Sequence, residues 1–431
     1  MKSFFYRIVK SFIGVVMFFP IFVIALIYKD KGDMLIWGPV PILNNKYWSN
    51  AMKNIGYKSI TYMTSYYAIN QENDFDKYYF CKGFLGKLLC VLQISNYYAF
   101  IYCLKNAKIV HIPYSGGPLG DTILKCFEAW LLHLSGCKII VLPYGGDSYC
   151  YSRVLDKNLT AGLLASYPEA AKKEKEISWR VSYWNKNADC VLCGFELDGM
   201  GRWDVNVPQY VVVNTMEIHA KRSYSLSDGK RGIVRIIHTP NHRGFKGTEF
   251  LIEAVKELQE EGLSVELVLL EKKSNQEVLR LLSESDILAE QFIFTGYALS
   301  GLEGMATGLP VMSNLDNECY TRIYRRYSYL NECPILSTTP ETLKDNLRIL
   351  ITHPELRKEL GMAGRKYVEK YHSYKAAQYL FSNIYDKILY GKDVDLMNLF
   401  HPLKSDYVKN NPVEHPLVEN KLPKDYFSNE H

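Results

Sequence analysis

Two segments of the sequence decide the fold: Arg243-Gly244-Phe245-Lys246-Gly247 and, further along the chain, Glu303-Gly304-Met305-Ala306-Thr307-Gly308-Leu309-Pro310. The first segment places two cations three residues apart in a glycine-bearing loop, between the apolar run 233–237 and a predicted helix. Such a loop suits a diphosphate, because backbone N–H groups and the positive end of a helix attract an anion that Arg and Lys neutralise. The second segment predicts a helix closed by Gly308 and Pro310, whose carboxylate can accept sugar hydroxyl protons.

This pair of segments resembles the C-terminal half of the GT-B glycosyltransferases, in particular the retaining enzymes of family 4, whose pattern reads roughly R-x-x-K-G and then E-A-M-A-x-G-x-P-V. The organisation of residues 34–391 is similar to that family, most strongly from 231 to 375. The resemblance implies an α/β chain with two Rossmann-like parallel-sheet domains facing a cleft. It also implies transfer of a sugar from a nucleotide-sugar donor to a hydroxyl, with retention and with no obligatory metal or other cofactor.

Three residues are predicted to be catalytic through this resemblance. Arg243 and Lys246 would stabilise the departing diphosphate, and Glu303 would hold the nucleotide ribose through its hydroxyls. The alternative for Glu303 is a carboxylate at a helix N-terminus, favoured there by the helix dipole. Two glycines are predicted to bind substrate: Gly247 closes the phosphate loop, and Gly38 follows the first predicted strand.

One position of the second domain departs from the family pattern. Thr295 stands where family 4 enzymes usually carry a second glutamate, eight residues before the one at Glu303. That glutamate generally contacts the donor sugar, so its absence leaves the donor open. The spacing does not support Asp286 or Glu290 as a replacement. The backbone at Gly296-Tyr297 is predicted to face the sugar instead.

Short apolar runs alternate with predicted helices in the first half of the chain, which predicts a parallel sheet buried on both faces. The carboxyl ends of its strands would bring His111, Ser115, Tyr144 and Asp147 to one rim. Tyr144, where family 4 enzymes often carry a histidine, can donate a hydrogen bond to a sugar but is a poor base. Asp147 is predicted to contact substrate, with a turn-stabilising role as the alternative. His111 is more often structural in such a place.

Residues 11–28 contain no charge, and basic residues flank them on both sides. At 1.5 Å per residue this run reaches about 27 Å, just short of a hydrocarbon core. A cleaved signal peptide, a single span, or an interfacial or re-entrant helix bent at Pro20 would each fit. The third is favoured, because it keeps the catalytic domains in the cytosol with the nucleotide sugars. The sequence therefore predicts a protein on the cytoplasmic face of the cell membrane, contacting its surface through 11–28.

The 431 residues exceed one ordinary core, so two large domains are expected. The predicted plan is a membrane segment 1–31, an acceptor domain 32–216, a linker 217–232, a donor domain 233–373, a closing helix 374–391 that crosses back, and an extended tail 392–431. Residues 151–187 would form a lid or an acceptor-side insertion. The net charge of +5, without a basic stripe interleaved with aromatics, argues against nucleic acid as a partner.

Ten cysteines without a disulfide spacing favour a reducing compartment, and the single C-x-x-C at Cys190 and Cys193 is predicted to be core packing. Three function classes remain. The first is a glycosyltransferase that builds a cell-surface polysaccharide on a lipid-linked or glycan acceptor. The second is a nucleotide-sugar epimerase of GT-B-like fold, and the third a non-catalytic nucleotide-sugar-binding scaffold. A nicotinamide dehydrogenase is disfavoured, because no G-x-G-x-x-G follows the first strand.

Overall fold

The computed structural model describes residues 2–65, 67, 70, 73–78 and 83–427. Within them, the first sheet contains β1 Met34–Trp37, β2 Ser59–Met63, β3 Lys77–Tyr78, β4 Ala107–Ile112, β5 Lys138–Val141 and β6 Cys190–Val191. The second contains β7 Val234–His238, β8 Val265–Leu269, β9 Ile287–Thr295, β10 Val311–Asn314 and β11 Leu336–Ser337. The strand orders are β3-β2-β1-β4-β5-β6 and β11-β10-β9-β7-β8. Every pairing within these sheets is parallel.

Helices accompany both sheets. In the first half they are α1 Lys2–Ile27, α2 Leu43–Lys53, α3 Gly83–Val91, α4 Ile94–Asn106, α5 Glu128–Leu134, α6 Lys157–Ser166, α7 Pro168–Ala171 and α8 Glu174–Asn187. In the second half they are α9 Arg243–Lys246, α10 Thr248–Glu260, α11 Asn275–Glu284, α12 Leu299–Thr307, α13 Glu318–Tyr327, α14 Leu343–Thr352, α15 Pro354–Tyr371, α16 Tyr374–Tyr390 and α17 Asp406–Lys409. The predicted α/β class with two parallel-sheet domains is confirmed.

The central strands are buried because both faces of each sheet carry helices. Ile139, Ile140 and Val141 of β5 have no exposed surface, as the continuous apolar run predicts. Cys190 and Cys193 are also buried in the core, which confirms the packing interpretation of the C-x-x-C.

The apolar run 210–213 predicts a further short strand of the first domain, and this prediction was wrong. The apolar run 210–213 is not part of a sheet. Its backbone is bonded instead across the molecule: the Val213 N–H donates to the His372 carbonyl at 2.9 Å, and the Val212 N–H donates to Asn44 Oδ1 at 3.1 Å. The segment therefore connects the two domains.

The closing helix α16 crosses back onto the first domain and packs on α2. Tyr385 of α16 donates a hydrogen bond to Nε2 of His111 at 2.8 Å, and the His111 ring stacks on Trp37 with centroids 3.5 Å apart. Burial lowers the pKa of His111 to about 3, against the opposing effect of its bond to the Ile36 carbonyl. His111 is therefore a neutral packing residue that anchors the closing helix.

Helix α1 is continuous through Pro20 and packs on α4 and α5. The helix is thus not interrupted at Pro20, and the predicted bend there stays a prediction. At the other end of the chain, the tail packs on the second domain. Asn420 accepts a hydrogen bond from Arg325 Nη1 at 2.6 Å through Oδ1, and its carbonyl accepts from the Ser337 N–H at 2.7 Å.

Candidate donor site

The predicted phosphate loop forms a single helical turn, α9. His238, at the end of β7, connects Thr248, the residue that follows this turn and Gly247, to the neighbouring strand β9. His238 Nδ1 donates to the Ala289 carbonyl at 2.7 Å, so Nε2 accepts from the Thr248 hydroxyl at 2.8 Å. Burial, with Lys246 and Arg243 nearby, lowers the pKa of His238 to about 4 and keeps it neutral. Gly247 ends the turn at φ 75°, a left-handed conformation that favours glycine.

Arg243 and Lys246 lie on the same turn but in different environments. The Arg243 side chain is 40% exposed; its Nε donates to Glu249 Oε1 at 2.7 Å, and its Nη1 lies 3.4 Å from Glu271 Oε1. The Lys246 side chain is only 7% exposed, and burial lowers the pKa of its amine. Arg243 is therefore the cation available to an incoming anion, and Lys246 is an internal one.

Lys246 is connected to the helix that carries Glu303. Its Nζ donates to Gln291 Oε1 at 2.9 Å and lies 3.6 Å from Glu290 Oε1. The same Glu290 oxygen accepts from the backbone N–H of Ala298 at 2.9 Å and of Gly301 at 3.1 Å, at the beginning of α12. Glu290 thus holds the two halves of the sequence motif together.

Glu290 and Gln291 are functional candidates that the motif spacing missed. Both are buried on β9, between Ile287-Leu288-Ala289 and Phe292. A signal was present in the sequence, because an acid and an amide inside an otherwise apolar buried strand require partners.

Glu303 lies in the middle of α12 and faces the first domain. The first turn of α12 contains no acidic residue, so the helix N-terminus alternative for Glu303 was wrong. Asn275 Nδ2 donates to Glu303 Oε1 at 2.6 Å. Burial, and to a lesser extent Glu290, raises the pKa of Glu303 to about 7, while the Asn275 bond opposes this. Among the residues that the structure describes, none donates a hydrogen bond to Oε2.

Tyr47 of α2 faces Glu303 from the other domain. Burial raises the pKa of Tyr47, and the Glu303 carboxylate is the next largest cause. The Tyr47 ring also lies 6.5 Å from that of Tyr374, centroid to centroid, at the beginning of the closing helix. Glu303 therefore sits at the boundary between the two domains, where a ligand held by both would bind.

The backbone at Gly296 and Tyr297 takes part in domain packing. The Gly296 carbonyl accepts from Ser313 Oγ at 2.6 Å and from Gln291 Nε2 at 2.9 Å, and the Tyr297 carbonyl accepts from Gln209 Nε2 at 3.1 Å. The Tyr297 side chain is buried, with its hydroxyl 2.7 Å from that of Tyr367. Both carbonyls are occupied, so their predicted contact with the sugar stays a prediction.

Asp147 is wholly engaged in the rim of the first domain. Its Oδ2 accepts from the Tyr114 N–H at 2.7 Å and its Oδ1 from the Tyr144 N–H at 2.9 Å. Burial raises the pKa of Asp147 to about 6, against these hydrogen bonds. The contacts are those of the turn-stabilising alternative. Tyr144 remains exposed at the rim.

Gly38, the remaining residue predicted to bind substrate, makes a close backbone approach. Its N–H donates to the His111 carbonyl at 3.2 Å, and a Cβ at this position would run into the Tyr62 carbonyl oxygen. Packing of β1 alone accounts for a glycine here, and a substrate contact stays a prediction.

Helix α6, from the predicted insertion 151–187, covers the α9 turn. Ser166 Oγ at the end of α6 accepts a hydrogen bond from the Phe245 N–H at 3.0 Å. The ring of the following residue, Tyr167, lies 4.3 Å from that of His242, centroid to centroid. The two domains are therefore in contact directly above the predicted phosphate loop.

No protein-family model and no curated protein matches the sequence. Among solved structures, sucrose-phosphate synthase from Thermosynechococcus elongatus is similar with a TM-score of 0.55 and 12% identity, over 84% of this chain and 100% of that one. The chain has the GT-B fold of glycosyltransferases. At this identity, the similarity establishes the fold and not the reaction.

Two further solved structures give lower TM-scores. Starch synthase IV from Arabidopsis thaliana, bound to ADP and acarbose, gives a TM-score of 0.46 with 10% identity, over 83% of this chain and 99% of its own catalytic domain. A protein from Listeria monocytogenes described as a UDP-N-acetylglucosamine 2-epimerase gives 0.46 with 14% identity, over 84% and 97%.

Proposed function

We propose that the protein is a GT-B glycosyltransferase that moves a sugar from a nucleotide-sugar donor to a hydroxyl of a lipid-linked or polysaccharide acceptor, with retention of configuration. One observation carries the proposal. The α9 turn with Arg243 is joined through Lys246 and Glu290 to α12, whose Glu303 faces the other domain. The buried contacts of Glu290 with Lys246 and with α12 therefore hold together the two elements that carry Arg243, proposed for the diphosphate, and Glu303, proposed for the ribose.

In this proposal, different residues bind different parts of the nucleotide-sugar donor. Arg243, exposed on the turn, would neutralise the charge that grows on the departing diphosphate. Glu303 would accept hydroxyl protons of the ribose through Oε2, while Asn275 holds Oε1. Lys246 would support the site indirectly, because its buried ammonium group pairs with Glu290, which in turn binds the beginning of α12. We propose no metal or other cofactor for this step, since charge stabilisation and positioning suffice for it.

The proposal also covers where the reaction takes place and which acceptor it uses. The transfer would take place at the cytoplasmic face of the cell membrane, where α1 meets the lipid and a lipid-linked acceptor is within reach. Tyr144, exposed at the rim of the first sheet, would contact the acceptor side. Such an enzyme would contribute to a cell-surface polysaccharide.

The first test is thermal unfolding of the full chain in detergent, followed by tryptophan fluorescence, with a panel of nucleoside diphosphates and nucleotide sugars. A ligand that binds only the folded state adds about 2.7 kcal/mol at about a hundredfold excess over its Kd. One nucleotide family is expected to raise the Tm, and Arg243→Ala is expected to abolish the rise. Arg243→Ala should also cost roughly 2–4 kcal/mol of transition-state stabilisation.

Arg235→Ala is the matched control, because Arg235 is an exposed arginine of β7 with a carboxylate partner, Glu266, at 2.8 Å. It should keep the nucleotide response. An equal loss in both variants, or no response to any nucleotide by the folded wild type, would overturn the proposal. Interconversion of two nucleotide sugars without any acceptor would establish an epimerase instead.

A further inference from the structure

Helix α1 is apolar on the side that faces away from the protein as well as on the side that packs against it. Its inner side contains Gly14, Ile21 and Ala25, which are buried. Its outer side carries Phe12 and Phe19, exposed by 69% and 67%. Further exposed apolar residues of that side are Ile8, Val15, Val16, Val23, Leu26 and Ile27. A helix on the surface of a water-soluble domain carries polar residues there, so this side is made for an apolar medium.

The exposed apolar surface continues beyond α1 onto the first domain. Phe22 stacks on Trp130 of α5 at 5.6 Å, and Phe18 lies 5.4 Å from Phe127, ring centroid to centroid. Both Phe127 and Trp130 keep nearly half of their surface exposed. Tyr98 of α4 and Ile123 are exposed on the same domain. We call the outer side of α1 together with Tyr98, Ile123, Phe127 and Trp130 the apolar face.

The packing fixes the direction of α1 relative to the domain. A Cβ on Gly14 would lie 2.5 Å from Ile123 Cγ1, Phe22 meets Trp130, and the Asp30 N–H just beyond the helix donates to the Ser135 carbonyl at 2.9 Å. The domain thus covers one side of the helix from residue 14 to residue 30. A perpendicular span would carry α4, α5 and their loops into the hydrocarbon, where irregular backbone is not tolerated. In contact with a bilayer, a helix packed in this way would therefore lie along the membrane surface.

Most of the charged residues that flank α1 are basic, and Asp30, between Lys29 and Lys31, is the acid among them. Residues 2–27 contain no acid, and cations stand at both ends, with Arg7 and Lys10 on one side and Lys29 and Lys31 on the other. Lys31 and Lys105 place their ammonium groups 5.5 and 5.2 Å from the Tyr28 ring centroid. Apolar side chains bordered by lysine and arginine match an interface between acyl chains and anionic headgroups.

We propose that the apolar face seats the protein in the plane of an anionic lipid bilayer, with α1 parallel to the surface and Phe127 and Trp130 embedded beside it. The inference rests on the proposed function only for the presence of a membrane, which it deepens by naming the surface and the orientation. Because Ile123 and Phe127 follow the loop after β4, this orientation brings the acceptor rim with Ser115 and Tyr144 to the level of the headgroups.

The test is flotation of the full chain with vesicles of phosphatidylcholine, alone or with phosphatidylglycerol. Phe127→Ser combined with Trp130→Ser should lower the vesicle-bound to free ratio roughly tenfold or more, since each ring loses its burial in lipid. The matched control is Met216→Ser with Leu403→Ser, two residues that are 82% and 80% exposed elsewhere. It should bind like the wild type. Phosphatidylglycerol should strengthen the binding of the wild type.

Tyr98→Asp is the second variant, for use if the Phe127 and Trp130 substitutions impair folding, which the unfolding temperature reports. Wild-type binding by both variants would overturn the inference, because α1 alone would then anchor the chain, as a spanning helix does. Loss of a dimer in the variants, with no vesicle binding by the wild type, would assign the face to a second copy. Vesicle binding without any nucleotide response would refute the proposed function and leave this inference intact.

Discussion

Glu303 holds its proton more tightly in the folded protein than in the unfolded chain. Its pKa is raised from 4.5 to about 7, chiefly by burial. This is an acid with a raised pKa, so stability is unaffected below the unfolded pKa and declines as the pH rises from there to about 7. The decline amounts to up to roughly 3 kcal/mol.

Glu303→Gln should therefore be more stable than the wild type at about pH 8 and little different at about pH 4, because glutamine has no proton to lose. The same variant should lose the nucleotide response, since the ribose hydroxyls lose their charged acceptor. Urea unfolding at the two pH values measures the first effect. Glu277→Gln, on an exposed part of α11, serves as control. A variant less stable than the wild type at the higher pH would contradict the prediction.

The sequence pointed to the motif residues themselves, but it did not predict which residues they contact. Spacing alone directs attention to Thr295, eight residues before Glu303. The structure instead pairs Lys246 with Glu290, which precedes the predicted position and lies within β9. Tyr47 comes from the other domain, and no local pattern connects it to Glu303. Contacts between distant segments depend on the final packing, which periodicity does not describe.

At the scale of elements, the closing helix α16 depends on one buried polar contact with the first sheet. Tyr385→Phe would remove the hydroxyl that donates to His111 Nε2 and leave that nitrogen buried without a partner. The free energy of unfolding should fall by about 1–3 kcal/mol. Tyr390→Phe, on the exposed end of the same helix, should change it little. Chemical denaturation of both variants measures the difference, and equal effects would refute the role given to His111.

Elements with a strong period were predicted closely. Helix α12 ends where Gly308 indicates, and the closing helix α16 lies within the predicted range 374–391. The strand prediction for 210–213 was wrong because three consecutive valines suit a buried connection between domains as well as a strand. Its backbone partners are a carbonyl of residue 372 and the side chain of Asn44, neither of which is near in sequence.

At the scale of the whole molecule, the contact between the domains includes Gly296. Its φ is +140°, and a Cβ there would lie 2.7 Å from Phe195 Cδ2 of the first domain. Gly296→Ala should lower the free energy of unfolding by more than about 1 kcal/mol, because alanine is strained at this φ and pushes the domains apart. Gly262→Ala is the control: its φ is also positive, but open space surrounds it. A similar loss in both would show strain alone, without a domain contact.

The two-domain architecture followed from the alternation of apolar runs and helices, together with the length of the chain. The direction of α1 could not be predicted from the sequence. Hydropathy shows that a helix prefers an apolar medium, but it does not show how the helix is oriented in that medium. The inner side of α1 is as apolar as its outer side. Only its packing against α4 and α5 shows which side the protein already covers.

Helix α6 covering the α9 turn has a kinetic consequence. The Phe245 N–H that donates to Ser166 Oγ belongs to the turn on which a diphosphate would rest. A nucleotide resting on this turn, as the proposed function requires, would have to pass α6, so opening of the domains would set an upper limit on turnover. While the domains stay closed, the same cover would keep bulk water away from the proposed donor sugar and so protect it against hydrolysis.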